Sequence, residues 1–175
     1  MKKKFYSLLF TATMAIAAAY AAESVPYEYT FSGGSLGDWT QVDNNGGYPY
    51  WQGHQNGAAI SIEMGYTNDD YLVSPEIALQ AGKTYEVAVE IHEKAYTMDA
   101  ATVDIVCGTG DDVTTYTSAG TITLAGGTTP SVQLSVGSDG NYKIALHCTS
   151  TGVYDYGSGQ LFISSVAVTE AEEGG

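Results

Sequence analysis

The chain contains no arginine, and its six lysines are split between residues 2–4 and three scattered positions, Lys83, Lys94 and Lys143. Against them stand 20 Asp and Glu residues. Polyanions are held by clustered Lys and Arg that displace counterions, so this balance excludes nucleic acid as a partner. Cysteine is scarce, with Cys107 and Cys148 alone, and one bridge is the most the chain could form. His54, His92 and His147 never fall at the short spacing of a zinc set. Helical periodicity is absent after the first 21 residues, and no apolar run reaches the roughly 20 residues that cross a bilayer.

What is present begins with a secretory leader. Lys2, Lys3 and Lys4 precede an apolar stretch from Phe5 to Ala18, and Ala19-Tyr20-Ala21 offers small residues where a signal peptidase reads, with cleavage before Ala22. No cysteine lies there to carry a lipid. The expected organisation is a signal peptide over 1–21, one domain over 22–169 and an acidic tail or linker stub over 170–175. The leader holds three lysines and no acid, so the exported chain carries 3 − 20 = −17. Such a charge disfavours anionic membranes, and no membrane insertion of the mature chain is expected. The setting is extracellular or the cell surface.

Short alternating runs, separated by Gly, Asn, Asp, Thr and Ser clusters, then fill the chain. Strands are expected over 27–31, 58–64, 71–74, 84–92, 101–107, 120–124, 131–136, 141–149 and 160–169. In 84–92 the residues Tyr85, Val87, Val89 and Ile91 face one way, and Glu86, Ala88, Glu90 and His92 the other. Some nine strands in about 145 residues predict an all-β fold, a two-sheet antiparallel β-sandwich of jelly-roll type. The two cysteines fall in phase with apolar faces. A bridge fits an oxidising compartment, and two buried thiols fit equally well. If their strands are antiparallel neighbours, the cysteines lie at opposite ends and cannot be joined.

Several segments carry a resemblance. They are Phe31-Ser32-Gly33-Gly34 with Gly37-Asp38-Trp39, the loop 42–47 ending in Trp51, and the stretch 68–87. To these add 103–109, the run Gly140-Asn141-Tyr142-Lys143-Ile144-Ala145-Leu146-His147, and 161–168. In this order they resemble the cleaved-adhesin or choice-of-anchor jelly-roll modules of Bacteroidetes-type secreted proteins, relatives of the gingipain adhesin regions. The resemblance implies surface adhesion or carbohydrate binding by an accessory module, with a calcium-stabilised loop in many members. Ser32 and Ser164 stand where such modules carry the acidic calcium ligands.

Sugar rings present apolar C–H faces to Tyr and Trp, and their hydroxyls call for amides and carboxylates. The candidate ligand-binding set is accordingly Tyr48, Tyr50, Trp51, Gln52, Asn56, Tyr154 and Tyr156. Trp39 and Trp51 also suit the ends of a sandwich core. Asp43 and Asn45 are candidate ligands for a structural calcium, which needs six to eight oxygens and so a second loop. Glu63, Glu86 and Glu90 are the carboxylates that a jelly-roll glycoside hydrolase would have to bring face to face. The expected function is a secreted, non-catalytic module that binds a glycan through loop aromatics. The alternative is a structural or protein-interaction module that meets a surface protein.

Overall fold

The computed structural model describes residues 21–151 and 159–172. Thirteen strands run in the order β1 (Glu23–Ser24), β2 (Tyr27–Thr30), β3 (Thr40–Asp43), β4 (Gln52–His54), β5 (Gly57–Ile62), β6 (Asp69–Val73) and β7 (Ile77–Leu79). They continue as β8 (Thr84–Lys94), β9 (Ala101–Gly108), β10 (Thr117–Ile122), β11 (Ser131–Ser135), β12 (Gly140–Ser150) and β13 (Gly159–Glu170). Two short 3₁₀ turns, Tyr96–Ala100 and Val113–Thr115, are the only helical elements among the described residues.

The strands form two sheets. In the first, β12 is flanked on one side by β9 and then β10, and on the other by β7 along its first residues and β6 along its last. β3 adds to β6, and β1 adds to β7 in the one parallel pairing. The second sheet runs β11-β8-β13-β5-β4, with β2 on the distal half of β13. The expected β-sandwich is therefore present, and each of the nine anticipated strands is a strand. The four that the alternation did not announce, β1, β3, β4 and β7, have only two to four residues each, too few for a period of two to register.

Period-two alternation builds the core. Val87, Val89 and Ile91 of β8, Val103 and Ile105 of β9, and Ile144 and Leu146 of β12 point between the sheets and are fully buried. In β13 the inward set changes phase, from Leu161 and Ile163 to Val166 and Val168. The cause is an irregularity in its pairing with β8 between Ile163 and Ser165. Trp39 closes one region of the core, edge-on to Phe31 at 5.4 Å, with its indole N–H donating to the Tyr27 hydroxyl at 3.0 Å.

Both cysteines are free and buried. Cys107 pairs with Ile144 and Cys148 with Val103 across the antiparallel β9–β12 ladder. Four residues of strand, about 13 Å, separate their positions. That is well beyond disulfide reach.

Candidate functional site

Two chain crossings between the sheets, and the end of a long strand, meet at one end of the sandwich. β3 leads to β4, β5 leads to β6, and β12 ends there at Ser150, which bonds the backbone of Asn68. A cleft of about 470 Å³ opens between the two crossings, lined by Asn45, Gly46, Gly47, Tyr48, Gly65, Tyr66 and Thr67. That size lies within the roughly 300–1,000 Å³ of small-ligand pockets. Tyr48 and Tyr66 wall it, 46% and 53% exposed, and Tyr50 stands edge-on to Tyr48 with ring centres 6.1 Å apart. Rings of this size bury most of their surface in the core, as Tyr27, Tyr71 and Tyr85 do here, so three exposed together set this end of the sandwich apart.

The floor is shaped by the Asp43 turn. Its carboxylate accepts the backbone N–H of Asn45 at 3.0 Å, that of Gly46 at 2.7 Å, and that of Gly47. Gly46 takes φ 78°, a left-handed conformation that a side chain would strain. The turn is tied down twice more. Asn45 Nδ2 donates to the Thr67 carbonyl at 2.7 Å, and Asn44 Nδ2 to Asp69 Oδ2 at 2.6 Å. On the wall, the Tyr48 hydroxyl donates to Glu63 Oε1 at 2.5 Å. That bond, with some burial, holds the Tyr48 hydroxyl above its ordinary pKa.

Beneath the cleft lies a buried polar junction. Asn68 is 3% exposed, and its Nδ2 donates to the carbonyls of Pro49 and Ser61 and to Asp70 Oδ2. Its backbone N–H donates to Ser150 Oγ, whose hydroxyl donates back to Asn68 Oδ1. One amide thereby fixes the backbone between Tyr48 and Tyr50 to both sheets. Asp70 is fully buried and its Oδ1 has no partner. Burial pushes its carboxyl up to about 6, the Asn68 bond pulls the other way, and the nearby charge of Asp43 adds to the rise.

On the outer face of the first sheet, the His147 ring lies flat on Tyr71, with centroids 3.9 Å apart, and donates from Nε2 to Asp69 Oδ1 at 2.6 Å. Burial alone would raise the Asp69 carboxyl, but hydrogen bonds from Asn44 and His147 outweigh it and hold the group below its usual range. Asp69 therefore links the sheet face to the turn that floors the cleft.

The structure divides the candidate residues. Tyr48 lines the cleft, with Tyr50 beside it. Trp51 is a correction: at 1% exposed it belongs to the core, and its indole N–H donates to the Asp70 carbonyl, so no ring face remains for a sugar. Gln52 is exposed on β4 and Asn56 is half-buried in the β4–β5 turn; neither lines the cleft. Tyr154 and Tyr156 lie outside the described residues. Sequence reading missed Tyr66 and Asn68 as site residues, and weighed Glu63 only as a hydrolase carboxylate. The signal for Tyr66 was faint, a single Tyr in a Gly-Tyr-Thr turn. Asn68 looked like any turn residue.

The metal candidates are engaged internally. Asp43 accepts three backbone N–H groups, Asn45 donates to Thr67, and among the described residues no three His, Cys, Asp or Glu gather as a metal site would require. At the position implied by the resemblance, the Phe31 N–H donates to the Ser164 carbonyl, which places the segments of Ser32 and Ser164 side by side. It carries only the hydroxyls of Ser32 and Ser164 there, so these residues do not fit a calcium ion, which prefers carboxylates. Of the three hydrolase carboxylates, Glu63 holds Tyr48, while Glu90 faces outward on β8 and accepts from Ser165 Oγ. Glu86 is also on the outer face of β8, and none of the three lines the cleft.

Neither a protein-family model nor the sequence of a characterised protein matches the chain. Solved structures do. The K1 cleaved adhesin domain of Lys-gingipain from Porphyromonas gingivalis W83 superposes with a TM-score of 0.55 at 22% identity, over 83% of this chain and 98% of that one. The K3 domain of the same gingipain gives 0.55 at 19%, over 82% and 98%. This chain has the cleaved-adhesin fold. A xylan-binding module, CBM15, shares the sandwich more distantly, with a TM-score of 0.51 at 12% identity over 86% of this chain and 99% of that one. The sandwich brings two crossings, and with them the exposed Tyr48, Tyr50 and Tyr66, to one end.

Proposed function

We propose that the protein is a secreted, non-catalytic binding module that takes a glycan into the cleft between Tyr48 and Tyr66. The observation that carries this reading is the exposure of three tyrosines around one open cleft whose backbone is pinned from below by Asn68. Tyrosine faces stack on sugar C–H surfaces, and the Tyr66 hydroxyl and Asn45, both lining the cleft, offer partners for ring hydroxyls. The fold shared with a xylan-binding module supports the same class of function. Extracellular export follows from the leader, and the acidic, arginine-free surface suits a solvated module.

A glycan array and follow-up calorimetry on residues 22–175 test the proposal; all strands and the whole described core lie in that span. Tyr48→Ala and Tyr66→Ala should each weaken a detected glycan by more than about tenfold while the fold persists. Binding untouched by both would place the site elsewhere. A second reading, contact with a surface protein, draws on Met64, which is 57% exposed beside the tyrosines and is a side chain suited to adaptable protein contacts. Silence on the array together with a protein partner that is lost on Met64→Asp would favour it.

A further inference from the structure

The cleft's chemistry narrows the ligand class, and this inference rests on the glycan-binding reading. An anionic sugar (a uronic acid, a sialic acid or a sulfated ring) would need a cation or a row of free N–H donors. The turn at the cleft floor has such a row, the consecutive N–H groups of Asn45, Gly46 and Gly47, which is the geometry of a backbone anion-binding nest. Asp43 already fills it, from within the same chain. The donors that would recognise a ligand carboxylate or sulfate are satisfied, and a negative charge sits behind them.

Among the described residues no lysine lines the cleft to offset that charge. Arginine is absent from the sequence. Lys83, Lys94 and Lys143 are paired with Glu170, Asp99 and Asp111 respectively, and none of the six residues lines the cleft. The immediate surroundings add Glu63 on the wall through Tyr48, and Asp69 behind the turn through Asn44. Three carboxylates thus stand directly behind the lining, Asp43 under the turn, Glu63 on the Tyr48 hydroxyl and Asp69 on Asn44, with His147 bonded to Asp69 on the side away from that turn, and like charges brought together at an interface are unfavourable.

We infer that the cleft is selective for uncharged glycans and rejects their carboxylated or sulfated counterparts. Asp43 is the internal occupant that performs the rejection at the floor, and Glu63 performs it at the wall. A neutral ring carries no charge to be repelled, and its C–H face can meet Tyr48 and Tyr66, which line the cleft.

The test uses matched pairs of oligosaccharides on residues 22–175: a neutral chain against the same chain with one sialic acid, one uronate or one sulfate. At low salt the neutral member should bind at least about tenfold more tightly, equivalent to 1.4 kcal/mol. The gap should narrow as salt is raised, because screening weakens like-charge repulsion. Glu63→Gln, which retains an acceptor for the Tyr48 hydroxyl, should also reduce the ratio of neutral to anionic affinity. Equal or tighter binding of the anionic members would overturn the selectivity and leave the glycan reading standing. Failure of both members of every pair to bind would overturn both.

Discussion

The His147 ring lies 3.9 Å from and nearly parallel to that of Tyr71, and its Nε2–H reaches Asp69 on the same strand as that tyrosine. This stack connects the outer face of a sheet to the loop that carries the cleft, because Asp69 also receives Asn44 from the Asp43 turn. Its consequence is mechanical. A turn with two left-handed or extended glycines holds its shape only while its neighbours hold it.

His147→Ala should therefore weaken glycan binding several-fold with only a small change in stability. Calorimetry beside urea denaturation separates the two. Asp69, held below its usual range, contributes stability that is present above its unfolded pKa of about 3.9 and lost as pH falls through its lower folded value. Loop order should fail in that acid window, seen as faster amide exchange over residues 44–48.

Asp70 acts in the opposite sense. Its folded pKa of about 6 lies above the unfolded value, so its favourable contribution is complete below about pH 4 and is lost as pH rises through 6. The span corresponds to roughly 2–3 kcal/mol. Asp70→Asn should flatten the fall in stability between about pH 4 and 6, measured by denaturant melts at each pH. An unchanged slope would show that the fall comes from the overall negative charge.

Burial pushes the thiols of Cys107 and Cys148 up to about 12, so neither forms a reactive thiolate near neutral pH. The native protein should resist maleimide labelling, label at two sites after unfolding, and melt at the same temperature with or without reductant. A drop in Tm on reduction would reveal a bridge.

Gly57 opens β5 at φ 128°, and a Cβ there would stand 2.1 Å from the Ile163 carbonyl oxygen. Gly57→Ala should cost about 3 kcal/mol or more, since neither the backbone angle nor the neighbouring strand can yield cheaply. Urea titration gives the figure directly.

Calcium should change little. A site filled at a hundred times its Kd would add about 2.7 kcal/mol and raise Tm by several degrees. With Asp43 engaged by its own turn and serines at positions 32 and 164, the melting curve should be the same in millimolar calcium and in chelator. A clear rise would locate an unrecognised site.

By itself the sequence determined the fold class, nine of the thirteen strands and the inward faces of the long ones. Alternation is a local property with a period of two, and Thr84 to Lys94 displays it over eleven residues. The change of phase in β13, from Leu161 and Ile163 to Val166 and Val168, came only with its pairing to β8. Tyr48 and Tyr50 were legible because a Gly- and Pro-rich loop seldom buries its aromatics. Only the tertiary structure decided that Trp51, three residues beyond Tyr48, turns inward at 1% exposure. It alone brought Tyr66 from a different crossing to face Tyr48, and made Asp43 the occupant of its own backbone nest. Those facts depend on which strands are neighbours in space. Pairings such as β3 with β6 join residues some 30 positions apart, and no local period in the chain encodes them.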